Sequence, residues 1–568
     1  MKTRHWWLAV APLVCSVGVV IADNGSAQVD PERLAALRAM TGQARALAER
    51  MPEPARRALS SGAMNLMNLA ERWPHLEQSL TLRRPAGSRA APALPREEKA
   101  SGPPAIPSPG TQVNDPGTDG DFSRLSGFTQ SETSTAWCDK NVVVGWNDSG
   151  SLFESGGVSF NGYGRSTNSG RIFQDLGFLP TSSGVLAGEP VIGCADTNTF
   201  FYASLFETVT TSDISVSKST NGGFSWGNPV SAVSKSGSTH FLDKPWMAVD
   251  PTNTTRIFVT YTDVDDSGTV CGAGNARMAI EEVNSPDGGA TWSSPVVVRE
   301  VCIDRTTGNG AIVQGSQVAV AANGDVYVVW EEFSLSGSAF VFGTEVINSS
   351  KSTDHGASWS SPVTVAFVSN PVGAFGPFGL FQGGFRNQEF PTLAVDRSGG
   401  TTHGNVYVAW NDGKLCVPDF VSRGGYCYSD IMVSRSTDGG LTYSTPKRVN
   451  KNREPLESGL GTDQFMPGIA VNKNGKVAIC FYDRRNDPRN FAIGRTCAVS
   501  TNAGSRWSET PVATDGWPSV VGQDLLIDPT YMGDYDSLAS DFLNKSGGFI
   551  GAFGENSQGE PNVRAKKF

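Results

Sequence analysis

The chain has 568 residues, 39% hydrophobic and 18% charged, so it can bury a large core, and its 64 Gly and 33 Pro suit many short strands joined by turns. Its formal net charge is -10, which argues against nucleic acid or anionic membrane as a partner.

Lys2 and Arg4 precede an apolar run from Trp6 to Ala22, and Gly25-Ser26-Ala27 supplies a small-x-small ending suited to signal peptidase. We read residues 1–27 as a secretory signal. The alternative is an uncleaved anchor, for which the run is short. Residues 28–84 form a helical arm: "DPERLAALRAM", "ARALAERM" and "LMNLAERW" place Leu, Ala and Met at spacings of three and four, with Asp30 as N-cap and Pro31 at the first helical position. Residues 85–121, including "GPPAIPSPGTQ", are a Pro/Gly/Ser-rich linker. The arm is expected to be a loosely held extension; a propeptide, or docking on the acidic body through its basic residues, are the alternatives.

From residue 122 to 568 the pattern turns to period-two apolar runs in a repeated unit. Seven runs begin units: "STAWCDK", "EPVIGCAD", "KPWMAVD", "SQVAVAANG", "FPTLAVD", "MPGIAVNKNG" and "YDSLASDF". Each is followed by a second strand rich in Val and aromatics, such as "NVYVAWND" or "KVAICFYD". Six units then carry a turn of the form Ser-x-Asp/Asn-x-Gly-x-x-aromatic: "STNSGRIF", "STNGGFSW", "SPDGGATW", "STDHGASW", "STDGGLTY" and "STNAGSRW". In this turn Asp or Asn accepts from backbone N–H groups, Gly supplies one left-handed residue, and the aromatic packs between sheets.

The expected fold is therefore all-β, a seven-bladed (alternatively six-bladed) β-propeller of four-stranded antiparallel blades after the helical arm and linker. The last unit shows only three strands, and "FSRLSGFTQ" (122–130) is expected to complete it. Without Cys15 the nine cysteines leave eight, an even set in an exported chain. Strand placement pairs them as Cys138–Cys194, Cys271–Cys302, Cys416–Cys427 and Cys480–Cys497.

The six turns match the Asp-box, or bacterial neuraminidase repeat, and residues 120–568 resemble sialidase-like propeller proteins. The resemblance implies six blades, a three-arginine clamp for the substrate carboxylate, a Tyr nucleophile activated by Glu, and an Asp acid/base. The family's Phe/Tyr-Arg-Ile-Pro motif is missing, and "GFRNQEFP" is its nearest substitute. Carried over on "GFRNQEFP" and "GDYDSLASDF", the resemblance implies Tyr535 as nucleophile and Glu389 as its base; if catalysis occurs, Asp243, an acid at a strand-one entry, is the proposed acid/base. Arg386, Arg484 and Arg485 are then the proposed clamp; Trp246, read independently as an aromatic near the rim, is a sugar-stacking candidate.

Propeller ligands bind at the loops that enter strand one and leave strand two, and this upper face is acidic. Glu189, Asp243, Glu389, Asp463 and Asp534 stand at the entries; Asp148, Glu207, Asp263, Glu331, Glu332, Asp412, Asp483 and Glu555 stand at the exits. These carboxylates could cap loop N–H groups and pair with arginines, hold Ca²⁺, or act on a glycan. "DVDDSG" (263–268) resembles half a calcium loop, nominating Asp263 and Asp265 as metal ligands. Phe375, Phe378, Phe381 and Phe385 are further candidates for stacking on sugar rings or binding an apolar partner, and the Gly/Phe insert that holds them (370–385) is expected to be a packed Ω-loop, with a lid over the mouth as the alternative. Histidines are too scattered for a zinc site. The expectation is a secreted, periplasmic or cell-surface protein that binds, and in the enzymatic reading hydrolyses, a glycan or glycoprotein. No cofactor is required; Ca²⁺ is the candidate ion. The alternative is a non-catalytic propeller binding carbohydrate or protein.

Overall fold

A computed structural model describes residues 31–60, 67, 110–116, 129–150, 158–181, 183–337, 341–369, 381–419, 424–456, 460–519, 532–559 and 561–568. The signal reading, most of the linker and Phe375 and Phe378 lie outside them.

Apart from two helices, Pro31–Arg50 and Glu53–Arg57, the described chain is built of antiparallel meanders, with one parallel pair, Val158–Ser159 against Val185–Leu186. One sheet takes Gln130–Cys138, Asn141–Asp148, Asn161–Ser166 and Gln174–Phe178 in that order. The next runs Val191–Cys194, Phe200–Glu207, Thr211–Ser219 and Val230–Ser236, widened by Val185–Leu186 and Val158–Ser159. An eight-stranded sheet spans His240–Val249 to Val363–Val368, and the single pair Ile303↔Gly310 divides it into two meanders of four. Two four-stranded sheets follow, Thr392–Val395 to Lys447–Arg448 and Gln464–Val471 to Ser508–Trp517. Second strands such as "NVVVGWND" and "FFYASLFE" are buried at every residue because a neighbouring sheet covers each face. Their Val, Phe, Tyr and Trp content fits a pleated surface buried on both sides.

The last sheet corrects one expectation. Leu538–Ser540, Phe549–Glu555 and Asn562–Lys567 take their fourth strand from Thr111–Gln112, within the segment read as linker, not from residues 122–130. Thr111 pairs with Ala565 and Gln112 with Arg564, and Asn114 Oδ1 accepts from Val563 N at 2.9 Å. Residues 122–128 are outside the described set, and Gln130 begins the first inner strand. The first and last sheets meet through the bridges Thr133↔Asp536 and Trp137↔Asp541.

The arm is also not loose. Leu37, Met40, Ala44, Leu47, Ala48 and Met51 recur at spacings of three and four, and all are buried in one core with Phe241, Leu242 and Val264. The docking is apolar first: of the arm's basic residues, Arg50 adds a 2.9 Å pair with Asp266 and a bond to Ser238 O. After Arg57 the chain turns inward, leaving Ala58, Leu59 and Ser60 at most 1% exposed.

The repeated turns share one hydrogen-bond scheme. In all six the Gly N–H donates to the Ser Oγ, at 2.8 to 3.0 Å. The Ser hydroxyl in turn donates to the Asp or Asn Oδ1. Two residues per turn are left-handed, not one: the Gly, and the residue before it, which is Ser169, Gly222, Gly288, His355, Gly439 or Ala503. Turn amides also bond to loops between strands one and two, as Gly222 N to Asn198 O and Gly288 N to Thr255 O. That places the turns at the end of the sheets opposite the acidic entries, as scaffolding.

Glu282 gives a stability prediction. Its carboxyl group is fully buried against the fourth turn, where a Cβ on Gly356 would come within 2.6 Å of Oε2. Burial pushes its pKa up to about 8, against a smaller opposing contribution from Asn284. A carboxyl with a raised folded pKa binds its proton more tightly folded than unfolded, so its stabilising contribution falls as pH rises from about 4.5 to about 8. Glu282→Gln is expected to be near neutral at pH 5 and to stabilise by a few kcal/mol at pH 9, measured by urea unfolding at both values. A gain independent of pH would refute this assignment.

The four cysteine pairs are all disulfides. Cys138–Cys194 ties adjacent inner strands, while Cys416–Cys427 and Cys480–Cys497 join directly opposed residues of antiparallel neighbours. No helix among the described residues is long and apolar enough to cross a membrane.

Candidate functional site

At the entry to strand one the chain bulges. The ladder slips between Ser131 and Ser134, Asp243 and Trp246, Gln314 and Gln317, and Phe465 and Gly468. At these slips Glu132, Lys244, Gly315 and Met466 have φ between 48° and 65° or, for Lys244, 46°; Glu189 at its own entry has φ 58°. Left-handed Glu, Lys and Met are costly, and such strain collects at functional mouths. The bulges turn these side chains toward one centre.

Lys244 is the hub. Its ammonium lies 2.5 Å from Asp534 Oδ2, 3.6 Å from Glu189 Oε2 and 3.8 Å from Glu132 Oε1, with only 4% of its side chain exposed. Arg386 closes a fork on Asp534, Nε to Oδ1 at 3.1 Å and Nη2 to Oδ2 at 2.6 Å. Burial alone would raise the Asp534 pKa, yet Arg386 and Lys244 hold it below the usual range. Glu132 is pushed well up, first by burial and then by the charge of Glu189.

The arm reaches this cluster with main-chain atoms. Ser60 N donates to Asp243 Oδ2 at 2.8 Å, Arg386 Nη1 donates to Leu59 O at 3.1 Å, and Gln314 Nε2 donates to Ala58 O at 2.9 Å. Gln314 also donates to Asp243 Oδ2 at 2.9 Å and accepts from Thr262 Oγ1. Three consecutive residues of the chain thus occupy the mouth as a bound peptide would.

The residues proposed for a sialidase reaction do not assemble. Tyr535 is half-buried, donates its hydroxyl to Pro190 O at 3.1 Å and packs edge-on against Trp246 at 5.4 Å. Burial, then the charges of Glu189 and Glu132, push its phenol well above its ordinary pKa, the opposite of an activated nucleophile. Glu389 instead joins Glu331 and Glu345, whose carboxylates also come together, and Asp243 holds the arm. The three arginines go to separate places. Arg386 meets Asp534. Arg484 lies under Phe385 and Phe465, donates to Gln382 O at 2.7 Å and is 3.6 Å from Asp463. Arg485 points away, forked on Glu509 at 2.9 and 3.0 Å. The stacking role fails for Phe381 and Phe385, which are buried with Phe465.

Both carboxylates nominated in "DVDDSG" already have partners within the protein. Asp263 already holds Lys235 at 2.8 Å, His240 Nδ1 at 2.9 Å and Arg277 at 3.0 Å, while Asp265 accepts from Ser267 N at 2.7 Å. Among the described residues, the group whose geometry could hold a cation is Glu331, Glu345 and Glu389, with ligand atoms within 4.8 Å of one another.

Sequence reasoning missed Lys244, Glu132 and Gln314. Lys244 had one signal, a lone cation in "LDKPW" where other entries carry acids.

No family model matches the chain, and no curated protein matches it. Similar solved structures include a Hadza microbial sialidase at 16% identity and TM-score 0.38, covering 67% of this chain and 65% of that one, so the chain spans about two thirds of that protein's length. An α-L-arabinanase of Penicillium chrysogenum is 12% identical with TM-score 0.42, covering 80% and 97%. A polysaccharide lyase of the ulvan lyase type is 10% identical with TM-score 0.45, covering 77% and 93%.

Proposed function

We propose that this chain is an exported, seven-bladed Asp-box propeller that binds a glycan or glycoprotein at its upper mouth, and that its own arm keeps that mouth occupied. The carrying observation is the seating of Ala58 O, Leu59 O and Ser60 N on Gln314, Arg386 and Asp243. Those side chains offer two donors and one acceptor, a pattern that sugar hydroxyls or peptide amides satisfy equally well. The ring reading is supported by inner strands that lie against one another in chain order and by the bridges between the first and last sheets. Four disulfides suit an oxidising compartment, secreted, periplasmic or cell-surface.

The binding reading takes precedence over hydrolysis because the three arginines have separate partners. The test offers immobilised glycans and glycoprotein to the wild-type chain, to Leu47→Asp, which unseats the arm, and to Leu47→Asp/Asp243→Asn. Binding is expected for Leu47→Asp and lost in the double variant. No binding by Leu47→Asp, or equal binding by all three, sinks the proposal. The enzymatic reading retains one geometric observation: the Lys244 ammonium lies 6.0 Å from the Tyr535 ring centroid and 3.8 and 3.6 Å from Glu132 and Glu189. A chromogenic sialoside turned over by Leu47→Asp but not by Leu47→Asp/Tyr535→Phe would establish it.

A further inference from the structure

A cavity of about 220 Å³ runs between the inner strands, lined by Thr135, Gln317, Thr392 and Ser537 with Arg397 and Phe542 among the other residues of its wall. Inner strands are sheet edges, so this wall also presents main-chain polar groups. Among the described residues of this wall, Arg397 and Asp536 are the ionisable ones. Asp536 is already engaged, accepting from Thr133 Oγ1 at 2.8 Å and Arg495 Nη1 at 3.3 Å.

Arg397 is in the opposite condition. Its guanidinium carbon sits 4.9 Å from the Phe542 ring centroid, and it forms no ion pair or hydrogen bond with the described residues. The adjacent Asp396 is engaged by Ser398 N at 2.8 Å and Thr402 Oγ1 at 2.6 Å. Loss of solvent lowers the Arg397 pKa to about 10, with no carboxylate opposing that fall. Two further groups are unsatisfied in the same wall: the Thr135 and Ser537 hydroxyls, each 8% exposed by residue and without a hydrogen-bond partner. A guanidinium stacked on an aromatic face keeps its in-plane N–H groups available to an oxyanion.

We propose that the axial cavity binds a small oxyanion, a carboxylate or inorganic phosphate, with Arg397 as its principal partner. The guanidinium would donate two parallel hydrogen bonds to two oxygens of the anion, while Phe542 holds its plane. Arg397 and Phe542 follow the far ends of Thr392–Val395 and Leu538–Ser540, away from the entries, so this site is not the one the arm fills.

The probes are sodium phosphate and sodium acetate, titrated into the full chain by calorimetry at constant ionic strength, with melting followed in parallel. Wild type is expected to bind one of them at one site per chain and to melt higher in its presence. Arg397→Gln is expected to weaken that binding about tenfold or more and to lose the melting shift. Failure of wild type to bind either anion, or equal binding by Arg397→Gln, overturns the proposal. Should Arg397→Gln not fold, crystals of wild type grown in selenate replace it. Anomalous density in contact with Arg397 supports the site, and density elsewhere or nowhere overturns it.

Discussion

Replacing Lys244 with Met is expected to destabilise the fold by about 3–5 kcal/mol, the cost of breaking a buried ion network by removing one partner. Lys244 is within 4 Å of carboxylates on three other inner-strand entries, Glu132, Glu189 and Asp534. Met fills similar volume but leaves these acids facing one another without water. Its effect should depend on pH in a defined direction. Without the ammonium, the folded pKa values of Glu132 and Glu189, already raised by burial, rise further. Acids with raised folded values bind protons more tightly folded than unfolded, so the variant should be closest to wild type near pH 5 and weakest at pH 8. Adding Asp534→Asn should recover part of the loss, since the two changes act on one network. Urea unfolding of the single and double variants at both pH values decides. A Lys244→Met chain as stable as wild type at pH 8 would mean that these carboxylates do not share the hub.

Leu47→Asp is expected to release the arm, with trypsin cutting after Arg38, Arg45 or Arg50 at least about tenfold faster while the sheets remain intact. A helix of 20 residues is marginal in water, so Pro31–Arg50 owes its order to the apolar stripe pressed on His240–Val249. Leu47 is 0% exposed at the centre of that stripe. Truncating a buried Leu costs about 2–5 kcal/mol, and burying a carboxylate costs more. The exposed Arg50–Asp266 pair contributes too little to hold the helix against that loss. The counterpart Arg50→Ala should leave the arm protected. Unchanged cleavage of Leu47→Asp would show that the arm is held by something other than this stripe.

What could be read from the sequence was local. The repeated turns encode their own hydrogen bonds within eight residues, so their geometry and position at the far end of the sheets were legible. Disulfides followed once the strands were placed, because Cys416 and Cys427, like Cys480 and Cys497, must face across a hairpin. Relations between distant segments were not legible. The stripe from Leu37 to Met51 announces an apolar face without saying what covers it. Thr111–Gln112 is too short to show alternation and lies among Pro and Gly. Adjacent Arg484 and Arg485 looked like one clamp, but successive residues leaving a strand point to opposite sides, and these do. The mouth depends on bulges that place Lys244 and Glu132 in left-handed conformations, for which no local pattern gives a signal.

The pairing of Thr111–Gln112 with the C-terminal strand means that the last sheet takes its fourth strand from downstream of the residues that join it to the arm. A proteolytic nick between residues 68 and 109 would therefore sever the arm without unpicking the final sheet. The severed helix would then be a free peptide, no longer kept near the mouth by covalent linkage, and its departure would depend on dilution. A processing event at that point would convert a permanently attached occupant into an exchangeable one.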